Sequence, residues 1–156
     1  MTQDLPFVDE YDAVVDAPVH HVFLAVARRV GQTFEGGIWG GAFSALVGCV
    51  HRGASFTVPP VEGQEVNGFR VAKVVDPREL ILEGRHRFAA YRLSFFVDST
   101  AHGGSRLRAR TDAAFPGVRG ACYRALVIGS GAHAFIVRRM LGEMVSRAAA
   151  ARPIPS

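Results

Sequence analysis

The sequence predicts one α+β domain, in which a curved antiparallel β-sheet wraps around a long C-terminal α-helix. One observation is a helical stripe near the end of the chain, where apolar positions recur every three or four residues. A second is that the preceding residues alternate between apolar and polar, as strands do. A third is the length of 156 residues, which suits one core, so residues 1–156 are predicted to form a single domain. The stripe comprises His133, Val137, Met140, Met144 and Ala148.

Composition restricts the function classes. The formal net charge is +4, and Lys73 is the only lysine. Nucleic-acid proteins more often interleave basic residues with exposed aromatic ones, so no nucleic-acid partner is predicted. Cys49 and Cys122 form no CxxC motif and have no zinc-ligand spacing, so neither a metal nor another cofactor is expected. Both are predicted to be buried free thiols in a reducing compartment.

Localisation follows from what the chain lacks. Residues 1–6 include Asp4 and show no basic or apolar region of a signal peptide. The longest apolar run, residues 38–50, is too short and too rich in glycine to cross a bilayer. We therefore expect a cytoplasmic protein with no membrane span.

The first third of the chain predicts a strand followed by two short helices. Residues 7–15 alternate as a strand does, and Pro18 suits the first turn of a helix over residues 19–30. Gly31 is expected to end that helix. Residues 36–53 keep a helical rhythm despite several glycines, so a second, shorter helix is predicted there.

Four further strands are expected after a proline-rich loop. Their alternation predicts an outer face that carries most of the arginines and an inner face that is mainly apolar. A slip of one residue would bury Arg106, Arg108 and Arg110 together, which fixes the predicted register of the last strand. The predicted strands are residues 69–75, 80–88, 91–97 and 106–115.

This order of elements is that of the helix-grip fold, and particular segments strengthen the resemblance. Residues 68–83, 91–97 and 115–123, followed by His133 and Phe135, resemble bacterial members of the START-like, polyketide cyclase/dehydrase and lipid-transport (SRPBCC) superfamily. The similarity covers most of the chain. The resemblance implies the fold and an internal pocket. It implies no catalytic residue, because the superfamily has no universal one. The sequence Gly-Ser-Gly at residues 129–131 departs from the pattern and leaves open a break in the last helix.

The resemblance implies a pocket between the sheet and the last helix. Inward strand positions and the helical stripe would line it, mostly with apolar groups and with a few polar ones that orient a ligand. The predicted ligand-binding residues are Trp39, Phe43, Phe69, His86, Phe88, Tyr91, Phe95, Thr111, Phe115, Tyr123, His133 and Met140. The alternative is that the same side chains simply fill the core.

The candidate chemistry is limited. His86 interrupts an apolar face and titrates near neutral pH, so it is a possible acid or base. A structural histidine with a satisfied hydrogen bond is nevertheless the favoured interpretation of both His86 and His133. No spacing indicates a Ser-His-Asp or Cys-His arrangement, and the catalytic residues are unknown.

Three functions remain open at this point. The first is binding or carriage of a hydrophobic small molecule, such as a lipid, a polyketide or an aromatic metabolite. The second is an aromatase/cyclase-like enzyme in which His86, Tyr91 or Thr111 moves protons. The third is a partner-binding module that uses the basic outer face of the sheet. Phe135 is predicted to lie off the buried stripe, where it contacts the second helix or a second copy of the chain in a homodimer.

Overall fold

The computed structural model describes residues 4–36, 56–66, 68–87 and 89–150. Its centre is a six-stranded antiparallel sheet in the order β1-β6-β5-β4-β3-β2. Bulges shift the register within β1 and within β3, and such bulges bend strands. The α+β helix-grip prediction is confirmed. The strands are β1 (Phe7–Val15), β2 (Glu65–Val66), β3 (Phe69–Val75), β4 (Glu79–His86), β5 (Ala89–Ser99) and β6 (Ser105–Ala114).

Strand bounds agree with the sequence patterns to within about two residues, because alternation and turn residues act together. β1 and β3 begin and end where predicted, and the turn at Gly103 joins β5 to β6. The two-residue β2 was not predicted, since so short an element carries no periodicity. β6 lies between β1 and β5, which brings the start of the chain beside its later half.

Three helices occur in the described residues: α1 (Val19–Gly36), α2 (Gly117–Val127) and α3 (Ala132–Ala150). The prediction that Gly31 ends the first helix is wrong, because α1 continues to Gly36. Gly31 is buried, and a Cβ there would lie 3.0 Å from the Phe56 ring, so its lack of a side chain serves packing. The second helix predicted over residues 36–53 lies almost wholly outside the described residues.

The core lies between the inner face of the sheet and helices α1 and α3. Apolar positions of α1 and of the predicted α3 stripe are buried together with side chains from β4, β5 and β6. Arg29 of α1 joins the two helices through an ion pair of 2.7 Å with Glu143 of α3. The stripe prediction is confirmed for Val137, Met140, Met144 and Ala148, each less than 5% exposed.

The C-terminal helical region is broken. α2 ends at Val127, and Gly131, with φ of +75°, is the last residue of the connection before α3. A left-handed residue of this kind suits glycine, so the Gly-Ser-Gly sequence sets the break. The described side chains of α2 are largely exposed. Cys122 lies on it and is exposed, so the prediction of a buried thiol is wrong for Cys122, while Cys49 lies outside the described residues.

The outer face of the sheet carries paired charges. Arg92 binds Glu83 at 2.6 Å, and Arg110 binds Asp112 at 2.7 Å. Arg106 and Arg108 likewise pair with Asp12 and Asp98. The inward and outward assignment of β6 is therefore confirmed, since Leu107 and Ala109 are fully buried on the opposite face.

None of the helices in the described segments is both long and apolar enough to cross a bilayer.

Candidate ligand-binding site

A cleft of about 510 Å³ opens at one end of the sheet, where β1 and β5 begin and β4 and β6 end. The backbone N–H of Ala113 donates to the Pro6 carbonyl at 2.9 Å and ties the start of the chain to this end. The described lining residues are Pro6, Phe7, Val8, Arg85, His86, Arg87, Ala89, Ala90, Ala113, Ala114, Phe115, Pro116 and Arg124.

Small side chains account for the open space. Ala89 and Ala90 begin β5, and Ala113 and Ala114 end β6. Register pairs Ala90 with Ala114 directly across the two strands. Methyl groups cover little of the space that longer side chains would fill at such positions, so space stays open at the strand ends. Neighbouring strand residues point to opposite faces, so Ala89 and Ala113 lie on the face of His86, whereas Ala90 and Ala114 form an apolar floor on the outer face.

The orientation of the Tyr91 ring also leaves space at this end of the sheet. A Cβ on Gly84 would overlap the Tyr91 ring and the carbonyl oxygen of Gly68, so the ring occupies the space above Gly84. The Tyr91 hydroxyl donates to that Gly68 oxygen at 2.8 Å, and Phe69 packs edge-on at 4.9 Å between ring centroids. Tyr91 lies between Gly84 of β4 and Ala113 of β6. Because its ring lies over Gly84, it does not cover Ala113.

His86 is the buried polar group of the cleft. It is the last residue of β4, is 8% exposed, and pairs in register with Ala89. Its ring centroid lies 5.5 Å from that of Tyr91. Burial lowers the pKa of His86 below its usual value of 6.5, because desolvation disfavours the charged imidazolium. A neutral imidazole can both donate and accept a hydrogen bond, so His86 can orient a polar group of a ligand.

Cationic side chains form the rim. Arg85 and Arg87 flank His86 at the end of β4, and Arg124 comes from α2 on the other side. All three are exposed. The cleft thus combines an apolar floor, one buried imidazole and a basic edge.

The predicted site residues fall into several groups. His86 and Phe115 line the cleft. Phe95, Met140 and Thr111 are buried, and the first two belong to the core cluster under α3. Phe69 and Tyr91 are half-buried beside the cleft. Trp39, Phe43 and Phe88 lie outside the described residues, as do the side chains of Tyr123 and His133. Whether each contacts a ligand stays a prediction.

The expected position of the cavity differs from the observed cleft. Small inward residues, including Ala109, suggested free space between α3 and the sheet. Ala109 is instead fully buried in the core cluster, and the described lining of the cleft includes neither Phe95 nor Met140. Sequence reasoning missed the alanine floor and the arginine rim. The sequence signal that could have indicated the floor is the two alanine pairs, Ala89–Ala90 at the start of β5 and Ala113–Ala114 at the end of β6.

A metal site has no support in the described ranges, where no group of three or more His, Cys, Asp or Glu side chains could hold an ion. The expectation of no metal stays a prediction.

Comparisons with known proteins show the fold alone. No protein-family model matches the chain, and the search of curated proteins found no match. Solved structures do match. Ms6760 from Mycobacterium smegmatis has a TM-score of 0.52 at 12% identity and covers 97% of this chain and 99% of its own. A protein from Rhizobium leguminosarum has a TM-score of 0.58 at 16% identity, covering 90% of this chain and 92% of its own. CalU16 from Micromonospora echinospora has a TM-score of 0.51 at 12% identity, covering 90% and 83%. At such identities the shared property is the architecture.

Proposed function

We propose that this protein binds a hydrophobic small molecule in the cleft at the end of its sheet. The observation that carries the proposal is the cleft of about 510 Å³, which combines an apolar floor with the buried His86. Ligand pockets are typically about 300–1,000 Å³, mostly apolar, with few polar groups that fix orientation. A lipid, a polyketide or an aromatic metabolite would suit this chemistry.

Membership in the START-like superfamily forms part of the proposal. The helix-grip architecture and the sequence resemblance of residues 68–83 and 115–123 support it. Under this interpretation the protein is a cytoplasmic binder or carrier without a cofactor.

Native mass spectrometry of the purified protein, followed by fluorescence titration with the neutral probe N-phenylnaphthylamine, tests the proposal. We expect a retained hydrophobic ligand or saturable probe binding. Ala114→Leu fills the floor and should weaken probe binding at least about tenfold, because overpacking opposes entry. Ala72→Leu, at an exposed position of β3, is the matched control and should bind as the wild type does. Absence of both retained ligand and probe binding would refute the proposal.

A second candidate is an aromatase/cyclase-like enzyme, and His86 is the observation that favours it. A buried imidazole whose lowered pKa keeps it neutral is able to accept a proton from a bound substrate. His86→Gln should then lower the turnover of a polyketide-like substrate with binding intact. Equal turnover by the variant and the wild type would exclude this role.

Partner binding through the basic outer face has less support. Arg92, Arg106, Arg108 and Arg110 are each paired with a carboxylate there, which cancels much of the field that would attract an acidic partner.

The possible homodimer rests on Phe135, which is 65% exposed on α3. Light scattering of the wild type and Phe135→Ser tests it. A monomer mass for both proteins would remove the dimer.

A further inference from the structure

The rim of the cleft contains arginines but no carboxylates, unlike the outer face of β6, where arginine and carboxylate side chains pair. Its described lining contains Arg85, Arg87 and Arg124 but no Asp or Glu. Within the described residues, none of these three side chains forms an ion pair. On β6 the pattern is the opposite, since Arg106 pairs with Asp12 at 2.8 Å and Arg108 with Asp98 at 3.1 Å. Positive charge without a paired carboxylate therefore lies at the mouth of the cleft.

The apolar floor begins at the strand position paired with Arg85. Arg85 pairs in register with Ala90, and Ala90 pairs with Ala114, so the rim and the floor are neighbouring positions of one sheet. Phe115 extends the apolar surface beyond the end of β6. Pro116, the N-cap of α2, also lines the cleft, and the first turn of α2 has no acidic residue. The positive end of the helix dipole thus adds to the field of the arginines.

We infer that the ligand of this cleft is an anionic amphiphile. Its carboxylate or phosphate head group binds Arg85, Arg87 and Arg124, and its apolar body lies on the alanine floor and Phe115. Guanidinium groups match carboxylate and phosphate oxygens in geometry and charge, and they bind them more strongly than neutral polar groups. The inference rests on the proposed function and narrows it to a ligand class.

The expected effect follows from the exposure of the rim. An exposed ion pair strengthens association by a factor of about 1.5 to 5, so three together give about tenfold or somewhat more. Because the rim faces water, added salt should reduce this preference.

A matched pair of fluorescent probes tests the inference. Anilinonaphthalene sulfonate and N-phenylnaphthylamine share one aromatic body, and only the first carries a charge. We expect the wild type to bind the sulfonate about tenfold more tightly at low salt. The triple variant Arg85→Gln, Arg87→Gln, Arg124→Gln should lose that preference and keep its affinity for the neutral probe. The control is Arg106→Gln with Arg108→Gln, which removes two paired arginines outside the described lining and should retain the preference.

Displacement of the bound probe separates the two head groups. Dodecanoate, dodecyl phosphate and dodecanol compete with N-phenylnaphthylamine, and the stronger of the two anions identifies the head group.

Three outcomes contradict the inference. Equal competition by all three compounds, or a preference unchanged in the triple variant, refutes the anionic ligand and leaves a hydrophobic binder. Failure of both probes to bind the folded wild type refutes the proposed function itself. Circular dichroism of each variant verifies that it is folded.

Discussion

The two ends of the β5–β6 ladder differ in what their side chains do. At one end Val97 pairs with Leu107, and both are fully buried beneath the helices. At the other end of the same face Ala113 pairs with Tyr91, and both Ala89 and Ala113 border a cleft. The strands are continuous and the register is the same along their length. The two ends therefore differ in the size of their side chains and in whether helices cover the sheet.

This comparison separates the part of the sheet that provides stability from the part proposed to bind a ligand. The helices α1 and α3 cover the far end, where aliphatic side chains exclude water and provide most of the hydrophobic free energy. Methyl groups at the near end give up that contribution and leave a concave surface. We expect substitutions at the far end to change stability and those at the near end to change binding.

The largest expected effect is at the packed end. Phe95 is 1% exposed in the core cluster, so Phe95→Ala should lower the free energy of unfolding by about 3–5 kcal/mol. Phe115 is only half-buried, and Phe115→Ala should cost less than about half of that while weakening probe binding. Urea unfolding measures both. Equal destabilisation by the two substitutions would contradict the division between the two ends.

Gly84 leaves space for the Tyr91 ring, which packs over it beside the cleft. A methyl group there would overlap the Tyr91 ring and the Gly68 carbonyl oxygen, so Gly84→Ala should cost about 3 kcal/mol. It should also push the ring toward Ala113 and weaken probe binding. Thermal unfolding and probe titration measure the two effects. Tyr91→Phe is the control, since it removes one hydrogen bond and should cost about 1 kcal/mol with the ring in place.

A smaller effect concerns pH. Burial lowers the pKa of His86 below 6.5, so the unfolded chain binds a proton at this site more readily than the folded protein. The stability contributed by neutral His86 is complete above about pH 6.5 and is lost as the pH falls toward the lower folded pKa. His86→Gln should flatten this part of the profile. Melting temperatures of both proteins from about pH 7.5 to pH 5 test it, and parallel profiles would contradict the assignment.

The smallest effect is expected on the outer face. Arg106 and Asp12 are both largely exposed, and such pairs contribute about 0–1 kcal/mol. Arg106→Gln should therefore leave the urea midpoint nearly unchanged. A decrease in the free energy of unfolding much above about 1 kcal/mol would show that the ion pairs of the outer face contribute substantially to stability.

Much of the fold was predictable because periodicity and burial coincide. The alternation of Arg106, Leu107, Arg108 and Ala109 determined the register of β6, and the structure confirms it. The stripe from Val137 to Ala148 determined the face that α3 buries. The length of α1 was not predictable, since the packing of Gly31 against Phe56 depends on residues distant in sequence.

The site was less predictable because a cleft is a property of several chain segments together. His86 was identified, since a polar residue on an apolar face is visible in one strand. The rim was not, because Arg124 reaches the cleft only through the position of α2. The volume argument from Ala109 stays a prediction, and it depends on the same kind of information. A small side chain leaves space only where no neighbour fills it, and core neighbours surround Ala109.

The central claim is that ligands bind at the alanine end of the sheet. Backbone amide NMR spectra recorded during titration with N-phenylnaphthylamine test it most directly, because an aromatic probe shifts the resonances of nearby amides. The account predicts the largest shifts at Ala89, Ala90, Ala114 and Phe115, with little change at Met144. The largest shifts at Met144 and its core neighbours, with none at the alanines, would contradict it.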